Sequence, residues 1–197
     1  MDLFRLILQI APYIGSIVIL VGVFVGIIRA IYNFLKKPKL EIVDQPTIRN
    51  WQYVGTRQTR RFFTLEVKNK RKLTAKRCEA VAKVIKGSSN IGHLLNPCPL
   101  HWSRKPYSTL STGADPIEIG ATAERLDVAF TVPTISGASW LALSLALSYP
   151  GQTGQAMLPQ GEYVIEVQVS CENGRGASKK FKLISPQNWQ DLDAIKL

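Results

Sequence analysis

Hydrophobic residues follow two different rhythms along this chain. From Ala11 to Ile28 there are eighteen residues without a charge (APYIGSIVILVGVFVGII), and the apolar character resumes past Arg29 to Leu35. A hydrocarbon core about 30 Å thick is crossed by roughly 20 apolar helical residues, so residues 11–35 are long enough to span a bilayer. After Lys39 the period becomes two, the mark of half-buried strands. Leu40 and Ile42 begin it. Phe63, Leu65 and Val67 then alternate with Thr64, Glu66 and Lys68, and Leu126, Val128 and Phe130 repeat the pattern. Leu141, Leu143, Leu145, Leu147 and Tyr149 alternate with Ala and Ser. Tyr163, Ile165, Val167 and Val169 follow, and Phe181 and Leu183 complete the series.

One segment fits both periods. Ala75 to Lys86 can be a strand with Cys78, Ala80, Ala82 and Val84 on one face, or a helix with Cys78, Val81, Ala82 and Ile85 on one stripe. Asn69-Lys70-Arg71-Lys72 just before it reads as a turn between strands and favours the first. Asn173-Gly174, between two alternating runs, is a hairpin signal because both residues accept positive φ. Pro97-Cys98-Pro99 and Ser108 to Pro116 read as loops. Ser185-Pro186 suits a helix N-cap and first position, and Trp189, Leu192 and Ile195 recur at helical spacing. The expectation is a short C-terminal helix closing an open end of the core. Seven or eight strands with turns between them predict an all-β, two-sheet sandwich.

Leu158-Pro159-Gln160-Gly161-Glu162-Tyr163 resembles the corner that leads into the sixth strand of fibronectin type III and other immunoglobulin-like domains. The resemblance implies that the Tyr163 hydroxyl ties back to the backbone a few residues upstream. Leu65-Glu66-Val67-Lys68-Asn69 followed by Ala75 is similar to the strand and turn of bacterial and archaeal immunoglobulin-like adhesion modules, with Arg71 where those have glycine. Both likenesses concern fold, and fold does not imply function.

The chain thus divides into an anchor with its basic flank, residues 1–38, and one sandwich domain, residues 39–197. The anchor differs from a cleaved signal, whose apolar region is 7–15 residues and ends at a small-x-small site. This one is longer and runs into Arg29, Asn33, Lys36, Lys37 and Lys39. On the N-terminal side, Arg5 and the amine are offset by Asp2. Positive charge therefore accumulates after the helix, which places the domain in the cytoplasm. Tyr32 suits the membrane interface, Arg29 can snorkel toward it, and Gly22-x-x-x-Gly26 offers a small-residue notch for helix packing.

Lys and Arg number 25 against 14 Asp and Glu, a net charge of +11. The excess is local: from Arg49 to Lys86 there are twelve basic residues and two acids, Glu66 and Glu79. Arg57, Arg60, Arg61, Lys70, Arg71, Lys72, Lys76 and Arg77 are the candidate polyanion-binding residues, interleaved with Trp51, Tyr53, Phe62 and Phe63. Beside a membrane anchor, anionic lipid headgroups are the nearer partner, and nucleic acid the less favoured one.

Catalytic patterns are weak. His93, Cys98 and His101 form H-x4-C-x2-H, which matches no common zinc spacing; Cys78 or Cys171 would have to supply the fourth ligand. Ser103 lies two residues from His101, and Asp115/Glu118 and Glu124/Asp127 are acid pairs. No nucleophile elbow, phosphate loop or dinucleotide fingerprint appears. Three cysteines make no secreted disulfide framework, and no Asn-x-Ser/Thr sequon occurs. The reading is of a non-enzymatic, cofactor-free interaction or scaffold protein that is held in the bilayer through residues 11–35 and binds another membrane or cytoplasmic protein. The alternatives are a membrane-tethered sensor or effector that binds a polyanion through the basic flank, and an enzyme with an unrecognised site.

Overall fold

The computed structural model describes residues 3–52, 59–87, 97–103, 116–133, 139–143, 157–185 and 189–197. The first rhythm forms one helix, α1 (Leu3–Lys36), of 34 residues. At 1.5 Å per residue it is about 50 Å long, more than a hydrocarbon core needs. Its segment Val18–Lys36 has a mean hydropathy of 2.2. The large apolar side chains from Val18 to Leu35 are 50–68% exposed. The Lys36 ammonium lies 4.0 Å over the Tyr32 ring. The helix is one compact unit, and Pro38–Leu197 is the second.

The second rhythm forms strands. In chain order they are β1 (Leu40–Ile42), β2 (Thr47–Gln52), β3 (Thr59–Asn69), β4 (Ala75–Gly87), β5 (Cys98–Pro99), β6 (His101–Trp102) and β7 (Ile117–Ile119). Next come β8 (Glu124–Pro133), β9 (Ser139–Leu143), β10 (Met157–Leu158), β11 (Gly161–Ser170), β12 (Ala177–Ser185) and β13 (Asp193–Lys196). One sheet has the order β1-β3-β8-β9-β10, with β2 also on β3 and β6 also on β8. The other has the order β13-β12-β11-β4-β5, with β7 also on β4. All these pairings are antiparallel. The arrangement is a sandwich of two antiparallel sheets, compatible with an immunoglobulin-like fold.

The alternation read from the sequence explains the core. Phe63, Leu65 and Val67 of β3 are buried, as are Tyr163, Ile165, Val167 and Val169 of β11, and Phe181 and Leu183 of β12. Phe63 and Phe181 meet edge to face across the two sheets, centroids 5.6 Å apart. The ambiguous segment is a strand: β4 buries Cys78, Ala80, Ala82 and Val84, the four positions that the period of two selects.

Two details depart from the alternation. The β3–β8 register shifts between Phe63 and Thr64, with Phe63 opposite Ala129 and Thr64 opposite Asp127. The extra residue breaks the parity of β8, as a bulge must. Ala129 therefore joins the core, while Phe130 leaves it and stacks on Phe62 at 5.2 Å. The C-terminal helix expected from Trp189, Leu192 and Ile195 is also corrected. Trp189–Asp191 is a single 3-10 turn, and Asp193–Lys196 runs back along β12 as β13. Strand pairing satisfies the backbone of these last residues better than one free helical turn could. Leu192 still closes the core, 2% exposed. Of the Leu141–Tyr149 run, Leu145, Leu147 and Tyr149 lie outside the described residues, as do Pro186 and most of the 108–116 loop.

The sheets are stitched together at two places. Cys98 and Pro99 pair with β4 in one sheet, and His101 and Trp102 pair with β8 in the other. The chain changes sheets at Leu100, which is buried and donates its N–H to the Ala80 carbonyl. On the open side, Asp44, in the link between β1 and β2, takes ion pairs from Lys179 of β12 and Lys196 of β13.

The corner before β11 has the geometry that its sequence implies. The Tyr163 hydroxyl donates to the Pro159 carbonyl at 2.8 Å. Gly161 has a φ of 151°, a backbone conformation that side chains with a Cβ rarely adopt. Replacing Tyr163 by Phe removes one hydrogen bond and little apolar contact. It is expected to cost about 1–2 kcal/mol, read as a lower urea midpoint with an unchanged slope. An unchanged midpoint would deny the bond any structural weight.

Candidate functional site

The domain begins at one end of the sandwich, and the strand order brings three distant turns to the same place. Pro38 is buried. Its carbonyl accepts the Arg175 N–H at 2.8 Å, and the Leu40 N–H donates to the Arg175 carbonyl at 2.9 Å. Lys39 and Arg175 thereby form a parallel bridge. The β11–β12 hairpin must come close for this: a Cβ at Gly174 would lie 2.5 Å from the Pro38 oxygen, so only glycine fits. The other half of the Asn-Gly signal also works through contacts. Asn173 accepts the Lys76 N–H with its side-chain oxygen and donates its amide to the Thr74 carbonyl.

Asn69 organises the neighbouring turn. Its side-chain oxygen accepts the N–H groups of Lys39 and Arg71, at 3.3 and 3.0 Å. Its amide nitrogen donates to the carbonyls of Leu73 and Ile119, at 2.6 and 3.3 Å. Two donors and two acceptors are all that such a carboxamide offers. The side chain is therefore fully used, and the turn 70–74 is fixed from within.

This framework sets the basic side chains outward. Lys70, Arg71 and Lys72 are exposed on the turn. A bulge between Ala75 and Cys78 then turns two consecutive residues, Lys76 and Arg77, to solvent. Arg77 holds a φ of 49° there, in the left-handed region. Lys39 and Arg175 add exposed charge from the opening strand and the hairpin. Carboxylates share this end. Glu41 lies 2.7 Å from Lys70, Glu172 lies 3.7 Å from Arg77, and Glu118 is exposed on β7. The hydrogen bond from Lys70 holds the Glu41 carboxyl below its ordinary 4.5, against burial and helped by the charges of Lys70, Lys179 and Lys39. Leu73, between these cations, is 51% exposed.

The eight candidate basic residues are thus not one patch. Lys70, Arg71, Lys72, Lys76 and Arg77 gather at the Pro38 end. Arg60 and Arg61 start β3, and at about 3.3 Å per residue that strand carries them roughly 30 Å away. The Arg61 side chain is half-buried. Its Nε is enclosed without a hydrogen-bond partner among the described residues. Arg57 lies outside the described residues, as does Tyr53. Phe63 belongs to the core and Phe62 stacks on Phe130, so neither offers a face to a nucleic-acid base. Lys39, Arg175 and Leu73 were not among the candidates. The Asn173-Gly174 hairpin signal places a turn at Arg175, but only the pairing of residues distant in sequence brings that turn to Lys39.

The catalytic candidates resolve differently. His101 is 1% exposed, with Nδ1 3.3 Å from one oxygen of Asp127, and the Ser103 hydroxyl donates to the other. A hydrolytic triad needs the serine on the imidazole and the imidazole on the acid. Here the acid stands between the other two, which is a different order from that of a triad. The cluster instead pins β6 to β8 beside the point where the chain changes sheets. Of the acid pairs, Asp115 of the first is outside the described residues while Glu118 is exposed on β7, and Glu124 and Asp127 of the second both lie on β8.

Cys98 and His101 pair with opposite sheets, and His93 lies outside the described residues. Among the described residues, no three His, Cys, Asp or Glu side chains come together to hold a metal. The cysteines there are free thiols. Burial pushes the Cys98 and Cys171 thiols up, away from the thiolate that a nucleophile requires.

No protein-family model matches this chain, and no curated protein matches it.

Two outcomes are expected. Asp127→Asn leaves one carboxamide oxygen for two donors and places an N–H against them. It should cost roughly 3 kcal/mol, with Ser103→Ala costing about 1, both read by denaturant unfolding. Equal, small losses would remove the cluster from the stitching of the sheets. The second outcome concerns Glu41. A lowered carboxyl stabilises the fold above the ordinary glutamate range, and this contribution disappears as the pH falls through the lowered value. In an NMR titration Glu41 should therefore titrate below the ordinary glutamate value of 4.5, and Lys70→Met should move it up toward that value.

Proposed function

We propose that this chain is a single-pass, membrane-anchored, non-enzymatic binding protein with an immunoglobulin-like domain on the cytoplasmic side. One observation carries the reading. A long apolar helix with its hydrophobic side chains exposed precedes a domain whose core is drawn from residues 40–194. A helix apolar all round, in a chain whose core is complete elsewhere, finds its burial in lipid or against other helices. Gly22 and Gly26 have open space where a Cβ would stand, which suits close approach of a second helix.

The immunoglobulin-like assignment is supported by the strand pairing. β3 joins β8 in one sheet, and β4, β11 and β12 join in the other, with Tyr163 tied back at the start of β11. This is how B–E and C–F–G strands with a tyrosine corner are arranged in such domains. Cytoplasmic placement is supported by Arg29, Lys36, Lys37 and Lys39 after the span, against Arg5 before it. The second reading, a tethered effector of a polyanion, is favoured by the basic residues gathered at the Pro38 end.

Two measurements test the proposal. A reporter fused after Leu197 is expected to be active only in the cytoplasm, and the chain should resist carbonate extraction. Activity on the opposite side overturns the orientation, and extraction overturns the anchor. The chain purified from its own membranes in mild detergent should carry a stoichiometric protein partner by native mass spectrometry. A lone monomer would overturn the binding role.

A further inference from the structure

We infer that the turn Lys70–Leu73 is a bilayer-docking element, which seats Leu73 among the headgroups of anionic phospholipid while the surrounding cations meet their phosphates. The inference rests on the membrane anchor proposed above.

Three observations converge on this turn. The first is connectivity. Pro38, the first residue of the domain, follows the last residue of α1 by two positions. Two residues span at most about 7 Å. The domain end that holds Pro38 is therefore close to the interface in which the helix ends. Asn69 bonds both to Lys39 beside Pro38 and to the 70–74 turn. The turn thus belongs to this end of the domain.

The second observation is composition. The tip reads Lys-Arg-Lys-Leu, and Lys76 and Arg77 are presented outward by the bulge next to it. Basic residues flanking one exposed apolar side chain match the two layers of an anionic membrane surface: charge outermost, hydrocarbon beneath. Each Lys or Arg near such a surface is worth roughly a fivefold factor in attraction. An isolated aliphatic side chain adds burial once it passes the headgroups. The nearby carboxylates do not reverse the sign: Glu41, Glu172 and Glu118 stand against seven exposed cations, Lys39, Lys70, Arg71, Lys72, Lys76, Arg77 and Arg175. Glu118 lies on β7, outside the turn.

The third observation is rigidity. Leu73 could fold inward in a loose loop. Here Asn69 takes the Leu73 carbonyl and the Arg71 N–H, and Asn173 takes the Thr74 carbonyl. The backbone is held on both sides of Leu73 while its side chain remains half in solvent. An apolar tip held out in this way loses little conformational entropy on insertion, which is how preorganised binding surfaces gain affinity. Arg60 and Arg61, about 30 Å along β3, take no part.

The test uses the full chain in nanodiscs, where both leaflets are equivalent and orientation is immaterial. Amide hydrogen exchange of residues 70–74 is compared in neutral phosphatidylcholine discs and in discs with about one third phosphatidylglycerol. Slower exchange is expected in the anionic discs only, with no change at residues 59–61. Protection should fall as salt rises, because screening shortens the field to about 8 Å at physiological ionic strength. Leu73→Ser should reduce the protection severalfold, and Arg71→Gln with Lys72→Gln should reduce it by an order of magnitude or more. Both variants change only exposed side chains, so exchange of the β3 and β11 core amides should stay at the parent level.

Equal exchange in the two discs overturns the inference. So does protection in neutral discs on adding inorganic phosphate or an oligonucleotide, which would make the turn a soluble-anion site. A chain that does not enter discs at all overturns the anchor itself, an outcome distinguishable from failed docking by the lipid content of the purified particle.

Discussion

The carboxamide of Asn69 sits where four backbone groups from three stretches of chain must be satisfied at once. The opening strand, the β3–β4 turn and the end of β7 each present groups there that strand pairing does not reach. An unpartnered backbone group of this kind costs about as much as a lost hydrogen bond. One side chain with two donors and two acceptors meets Lys39, Arg71, Leu73 and Ile119. The path of the chain out of β3, the shape of the basic turn and the attachment of Pro38 all depend on that geometry. A hydrophobic residue would fill the space but leave the backbone unanswered. Aspartate would offer acceptors where two carbonyls need donors.

Much of the architecture was legible because one physical rule, alternation against a buried face, is strictly local. It found the inward faces of β3, β4, β11 and β12, and it favoured a strand for Ala75–Lys86 once the turn before it was weighed. It failed where locality fails. The bulge opposite Phe63 shifts the parity of β8, so Phe130 leaves the core in favour of Ala129. Nothing in the spacing of Leu126, Val128 and Phe130 signals an inserted residue. At the C-terminus, Trp189, Leu192 and Ile195 have helical spacing, yet β12 offers an unpaired edge, and β13 takes it. Edge availability belongs to the assembled sheet and leaves no mark on four residues of sequence.

The basic segment shows the same limit in another form. Twelve cations in one stretch suggest a single surface, but a strand is a ruler. β3 carries Arg60 and Arg61 to one end of the domain and delivers Lys70, Arg71 and Lys72 to the other. What concentrates charge at the Pro38 end is topology: the hairpin brings Arg175, and the bulge turns out both Lys76 and Arg77. His101 and Ser103, a would-be base and nucleophile two residues apart in sequence, meet through Asp127 in an order suited to bracing strands.

The Lys39–Arg175 bridge joins residues from the two extremes of the domain's sequence. During synthesis the apolar helix emerges first, and the strand that follows it stays without this partner until the hairpin at Gly174 has been made. Contacts between such distant positions form late, because the loop between them must close before they contribute. The end of the domain nearest its tether is thus completed only after residue 175 has been made. A chain arrested before residue 175 would present its first strand with one edge open, the condition in which strands exchange between neighbouring molecules.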